Sequence, residues 1–450
     1  METTLETKQR KRPLWVRLLA LLLAVLLFAE AGLLNAARLR FSAADYAGSE
    51  DEKAAELVAK DDEYLNANLL ERMRAIVSLL KKPETYDEYS MFASVAVADE
   101  EYGRAEDYLR ECIRLFPETG GSQEAFAELY LKTGCVCGLD GNWERATDYL
   151  KAATAKDPRS EDAWLMLSES YLRCENYEAA LETMNSFSAL REPDAEQLMA
   201  MATMELVLER LDECVRDCEK LLTMEGADKA ATLTLRAQAY LLAGENEKAV
   251  ADADAGLEAG GNETELLSIK GNALEVLERY EEALAAYDRA IGEDAPDLEL
   301  IRHAIPCAYM INDYDAMYRL SELALAQAAG TEEILEFKKW LGIAQLEKGE
   351  YEAAAANLSA YMEQDDRTGE LYYLRGVCYM ACGDYAAAVD DFTAAIRLEM
   401  LIDECLYNRG LCNTALGKDA AALWDFNTII KRNVDPELMA AAAEMKKIRK

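Results

Sequence analysis

From Leu371 to Met380, apolar side chains recur at the three- and four-residue intervals of one helix face. Gly383 follows where a helix needs a left-handed cap, and Tyr385 to Leu398 resumes the helical periodicity. The pattern predicts two antiparallel helices joined by a tight turn. It is written three times between Ile334 and Ile430, because Gly342, Gly376 and Gly410 stand 34 residues apart. Seven residues after each comes a second glycine (Gly349, Gly383, Gly417), then a small residue (Ala354, Ala388, Ala422), and four further on a large apolar one (Leu358, Phe392, Phe426). A fixed period of this length predicts a solenoid, since one helix pair cannot bury its apolar face alone and must stack on its neighbours. Gly376 and Ala388 are small where the two helices cross, and Phe392 and Ile396 fill the space toward the next unit.

Extended backward, the register takes in Tyr102, Ala105, Leu109, Cys112 and Pro117, then Trp143, Ala146, Leu150 and Pro158. It continues through Trp164, Leu167, Tyr171, Tyr177, Ala180 and Met184, through Leu233, Tyr240, Gly244 and Ala249, and through Gly271, Tyr280, Ala283, Tyr287 and Ala290. Weaker units lie at 195–226, with Cys214 and Cys218 in the small and large positions, and at 298–330, with Pro306 inside a first helix. The repeat at 371 resembles the tetratricopeptide repeat (TPR), whose pattern is W-x2-L-G-x2-Y, then A-x3-F, then a late proline. Its matching residues are Tyr372, Gly376, Tyr379, Ala388, Phe392 and Ala395, and it departs at Arg375 and Met400. The resemblance implies an all-α chain: a right-handed superhelical solenoid of about ten antiparallel helix pairs over residues 87–436.

It also implies protein or peptide partners, held on the concave face of the first helices. By register that face includes Arg302, Tyr309, Lys339, Tyr373, Met380, Tyr407 and Thr414. The competing reading is that several of these tyrosines pack against the neighbouring helix, since a shift of one residue turns them inward. TPR domains that capture a C-terminal carboxylate use a clamp of Lys, Asn and Arg. Here the same positions carry Ser268 and Asn272, Arg302 and Pro306, Lys339 and Ile343, Tyr373 and Val377, then Tyr407 and Leu411, so the clamp is not reproduced. What remains is an apolar, tyrosine-bearing strip edged by Arg302 and Lys339.

The N-terminus adds a second signal. Lys8, Arg10, Lys11, Arg12 and Arg17 precede an unbroken apolar run from Leu18 to Ala29, continued after Glu30 by Ala31 to Leu34. The expected organisation is a basic tail (1–13), a single transmembrane helix (14–36), and a linker with juxtamembrane helices (37–86) ahead of the repeats. Within the linker, Ser49 and Glu52 have the form of a capping box, and Leu65, Leu69, Met73, Ile76 and Leu80 make one stripe ended by Pro83. The basic flank places the N-terminus in the cytoplasm and the repeats outside. The alternative is secretion after signal cleavage, because the run has the length of a signal-peptide core and Ala29-Glu30-Ala31 is a cleavage candidate. Residues 437–450 read as a capping helix with a basic tail.

The formal net charge is −37, and since residues 1–40 are basic, the remainder holds 41 Lys or Arg against 82 Asp or Glu. Such a surface repels nucleic acid and anionic lipid and tolerates basic or neutral partners. His303 is the only histidine, so zinc sites needing several histidines and Ser-His-Asp machinery are not expected within one chain, and no P-loop or dinucleotide fingerprint is present. Ser78 to Lys81 and Lys132 to Gly134 match S-x-x-K and K-T-G only as isolated short patterns. The eleven cysteines lack paired zinc-ribbon spacing, and most occupy small core positions of the repeats. No cofactor or metal is expected. The sequence reads as a non-enzymatic, membrane-tethered scaffold, or alternatively as an accessory subunit assisting assembly of a cell-envelope enzyme or secretion complex.

Overall fold

The computed structural model describes residue 74 and residues 82–292, 297–365, 368–433 and 435–448. The basic tail, the anchor and nearly all of the linker, including the Ser49–Glu52 box and every residue of the 65–80 stripe, lie outside the described residues. Among the described residues no helix is long and apolar enough to cross a membrane. These residues form α-helices and no strand.

Two compact units divide the chain between Ala239 and Tyr240. The first contains α1 (Tyr86–Ala98), α2 (Tyr102–Thr119), α3 (Gln123–Leu139), α4 (Trp143–Lys156), α5 (Glu161–Arg173), α6 (Tyr177–Ser188), α7 (Ala195–Val207) and α8 (Leu211–Leu221). Helix α9 (Lys229–Leu242) carries the dividing point. The second unit continues with α10 (Asn246–Glu258), α11 (Glu263–Val276), α12 (Tyr280–Ile291), α13 (Leu298–Met310), α14 (Tyr314–Leu325) and α15 (Thr331–Glu347). It ends with α16 (Tyr351–Asp365), α17 (Gly369–Ala381), α18 (Tyr385–Arg397), α19 (Ile402–Ala415), α20 (Asp419–Arg432) and α21 (Pro436–Ile448). The tyrosines at 102, 177, 280, 351 and 385 each open a second helix, as the register places them.

The same device turns the chain within every pair from α1/α2 to α19/α20. One residue takes left-handed φ: Gly141, Gly244, Gly349, Gly383 and Gly417 in five turns, and Glu100, Glu175, Glu209, Glu278 and Asn312 in the other five. The reversal lets the next amide reach back to an otherwise unpaired carbonyl of the first helix. Asp384 N donates to Tyr379 O at 2.9 Å, and Lys418 N to Asn413 O at 2.8 Å. Asn142, Asn176, Asp313 and Asp384 then cap the second helix through their side chains.

Within a pair, small faces large. A Cβ added to Gly376 would meet Phe392 at 2.9 Å, and one on Gly410 would meet Phe426 at 2.7 Å; both rings are fully buried. In the first unit Gly134 admits Leu150 in the same way, at 2.6 Å. Arg375, a departure from the repeat pattern, is accommodated by a bidentate pair with buried Asp391 at 2.8 Å, while its third nitrogen donates to Ser359. One repeat on, Arg409 holds Asp425 and donates to Thr393 in the same arrangement. Leu438, Ala442 and Met445 of α21 pack on Leu406, Phe426 and Ile429, closing the apolar end of the last pair.

Nine cysteines are buried free thiols; Cys174 and Cys382 are exposed at helix C-caps, outside the small core positions. Burial pushes the thiols of Cys112, Cys378 and Cys405 up to about 12, which leaves them unreactive as nucleophiles.

Candidate functional site

The residues singled out from the sequence all lie on the first helices α13, α15, α17 and α19 of the second unit. Their backbones are set by the buried faces: Ile301, Ala304 and Ile305 in α13, Phe337 and Leu341 in α15, Leu371 and Cys378 in α17, Cys405, Leu406 and Cys412 in α19. With those faces turned inward, helical geometry leaves the positions three and four residues away on the flank of the core. All seven predicted residues are half-buried.

Side-chain contacts connect these helices in sequence order. Arg302 donates to Glu299 Oε1 at 2.8 Å on its own helix and to Glu336 Oε2 at 3.1 Å on α15, with Glu333 at 3.6 Å. The expected cationic edge is therefore already neutralised at this point. Desolvation lowers the guanidinium's pKa and the surrounding carboxylates outweigh that, holding it above its ordinary value. Lys339 places its ammonium over two rings, Trp340 at 4.4 Å and Tyr361 at 5.3 Å from the centroids. Tyr309 lies against Trp340, with centroids 5.7 Å apart, and its hydroxyl donates to Glu370 Oε1 on α17 at 3.2 Å.

The later tyrosines are held from behind. Tyr373 leans on Phe392 with centroids 6.1 Å apart, and Tyr407 on Phe426 at 6.0 Å. Burial raises the Tyr373 hydroxyl's pKa, and Cys405 and Glu404 add to the shift. Met380 packs into the same cluster as Tyr373. The two sequence readings thus combine: each tyrosine packs against its repeat's large core residue and still shows part of its surface. Trp340, next in sequence to Lys339, was not singled out; its position beside a register residue was the available signal.

A separate polar cluster sits one repeat earlier. The Tyr287 hydroxyl lies 2.8 Å from both Asn272 Oδ1 and Glu275 Oε2, and His303 Nδ1 is 3.0 Å from the same Glu275 oxygen. Glu275 raises the imidazole pKa, while burial and the same carboxylate push the Tyr287 hydroxyl upward. Cys307, the nearby thiol, is pushed up to about 12 by burial. Every shift keeps these groups in the protonation state that satisfies the cluster, which is the behaviour of a structural network. Among the described residues, no group of three His, Cys, Asp or Glu side chains could hold a metal ion.

Comparison with known proteins gives the repeat its name. One tetratricopeptide repeat model matches residues 139–203, and a second matches residues 234–297 and 341–400. No curated protein matches the chain. A tetratricopeptide repeat protein from Parabacteroides merdae is 18% identical in solved structure, covering 56% of this chain and 98% of its own, with a TM-score of 0.39. Pseudomonas aeruginosa pilF is 18% identical over 48% of this chain and 98% of its own, TM-score 0.37. YrrB, a TPR protein with an unusual peptide-binding site, is 14% identical over 41% of this chain and 92% of its own, TM-score 0.34.

Proposed function

We propose that this chain, whose helix pairs are tetratricopeptide repeats, is a non-enzymatic scaffold that holds a protein or peptide segment on the first-helix face of α13, α15, α17 and α19. The observation that carries the reading is that Tyr373 and Tyr407 stand half-buried, each braced by a fully buried phenylalanine, on adjacent first helices. Braced aromatic side chains with one open side lose little conformational freedom on binding, which favours them as anchors. Tethering belongs to the same proposal and rests on the apolar run from Leu18 to Ala29 with its basic flank. The repeats then face away from the cytoplasm, and the N-terminal segment is retained.

The test uses partners cross-linked to the full chain and recovered from membranes. Tyr373→Ala combined with Tyr407→Ala is expected to weaken the captured partner by at least about 2 kcal/mol while helical content by circular dichroism is retained. Unchanged capture by the folded double variant would move the site off this face. N-terminal sequencing of the membrane-bound chain checks the tether, and a mature chain beginning after Ala31 would remove it from the proposal.

A further inference from the structure

One position of five successive first helices in the second unit carries the same side chain: Glu265, Glu299, Glu336, Glu370 and Glu404. These rungs differ in what they face. Glu265 is buried at 5% exposure. Glu299 and Glu336 share Arg302 between them. Glu370 is exposed and oriented by the Tyr309 hydroxyl, Glu404 is half-buried, and among the described residues neither makes an ion pair. Beyond Glu404 opens a cleft of about 710 Å³, lined also by Asp435 and Glu437, whose one cation among the described residues, Arg432, is held by Asp403 at 2.6 Å.

The two cations expected to edge this face are both engaged, Arg302 by three carboxylates and Lys339 over two rings. Among the described residues, the charged side chains on α17 and α19 without an ion pair are the carboxylates Glu370 and Glu404, the reverse of a carboxylate clamp. On α17, one and two turns beyond Glu370, lie Tyr373 and Val377, both half-buried. Packed helices are spaced roughly 8–10 Å apart, about the advance of three residues in the polyproline II conformation, whose three-residue period brings side chains i and i+3 to the same face. Deepening the scaffold reading, on which it rests, we propose that the partner segment is basic and runs in the polyproline II conformation. It carries Lys or Arg side chains about three residues apart against Glu370 and Glu404, and the aliphatic or aromatic side chain within that interval packs beside them on Tyr373 and Val377.

The experiment measures fluorescence anisotropy of a labelled synthetic peptide with the full chain in detergent. The peptide has two lysines three positions apart and a leucine between them. Its counterparts carry glutamates for the lysines, or the two lysines side by side. The spaced lysine peptide is expected to bind, more weakly as salt rises, and to outcompete both counterparts. Glu370→Gln with Glu404→Gln is expected to cost at least about tenfold in affinity. Glu281→Gln with Asp390→Asn removes equal charge from exposed sites on α12 and α18 and is expected to change it less than about twofold.

Equal losses in the two charge variants would reduce the binding to diffuse attraction and overturn the proposal, as would failure of the spaced lysine peptide to bind wild type. The Tyr373→Ala, Tyr407→Ala variant separates the two levels. If it loses a captured native partner while the Glu370, Glu404 variant keeps it, the scaffold reading stands and the basic-segment inference falls.

Discussion

Glu205, in α7 of the first unit, is a carboxyl in the wrong place for its charge. Only 6% exposed, it has one oxygen without a hydrogen-bond partner among the described residues. Burial, helped by Asp217 and Glu213 and opposed by Arg216 and Arg210, pushes its pKa up to about 8. The folded chain therefore keeps a proton that the unfolded chain gives up near the ordinary carboxylate value. Stability from this group is fully present below that value, and it is lost as pH rises toward 8. Glu205→Gln keeps the shape and removes the titration. Measured by denaturant unfolding, the variant is expected to gain on wild type by up to about 4 kcal/mol as pH rises from about 5 to above about 8, with other carboxylates cancelling in the difference. A constant difference across that range would show the carboxylate to be solvated when charged. Other residue-scale features were open to sequence reading in unequal measure. Arg375 looks like a lost leucine, yet Asp391 stands 16 residues on, and Arg409 with Asp425 repeats that spacing. A charged departure that recurs with its counter-charge at the repeat period signals a buried pair. The engagement of Arg302 had no such periodic signal, because its partners Glu333 and Glu336 follow a longer connection between repeats that shifts the register by three residues.

At the scale of elements, helices and turns were legible because each repeat writes the same local chemistry. The Gly-to-large spacing foretold the crossing of α17 and α18, and the weak pair at 195–226 folds as α7 and α8 with Cys214 and Cys218 fully buried. The left-handed residues were legible only where they are glycine. At the equivalent turn before α12, Glu278 takes φ of 57°, a conformation the tight reversal imposes whatever the residue. An L side chain there crowds its own carbonyl, at a cost of about 1 kcal/mol that glycine avoids and only partly returns through its freer unfolded chain. Glu278→Gly is therefore expected to stabilise the protein by about 0.5–1 kcal/mol, read as a higher denaturation midpoint with unchanged slope. The side chain is exposed, so no packing is lost with it. A lower midpoint would mean that the carboxylate contributes more at this turn than the backbone strain removes.

For the molecule as a whole, the decisive property is how far a local loss spreads. The second unit is built from contacts between neighbouring helices, and its core runs as successive clusters: one spanning α11 to α17, one on α18 and its neighbours, and one closed by α21. In such an array stability is close to a sum of repeat and interface terms, so removing the end exposes one interface without withdrawing support from distant repeats. A chain ending at Met400 loses α19, α20 and α21, and with them the Cys405 and Cys412 packing on Phe392 and Ala395. It keeps the Arg375–Asp391 pair and Met400 itself, which lies against Gly369. The truncated chain is expected to retain the helical signal per residue of the remaining repeats and to melt lower, with hydrogen exchange accelerated chiefly in α17 and α18. Loss of the helical signal from α11 to α16 as well would mean that the last pairs nucleate the whole unit, and nearest-neighbour stacking would not describe it.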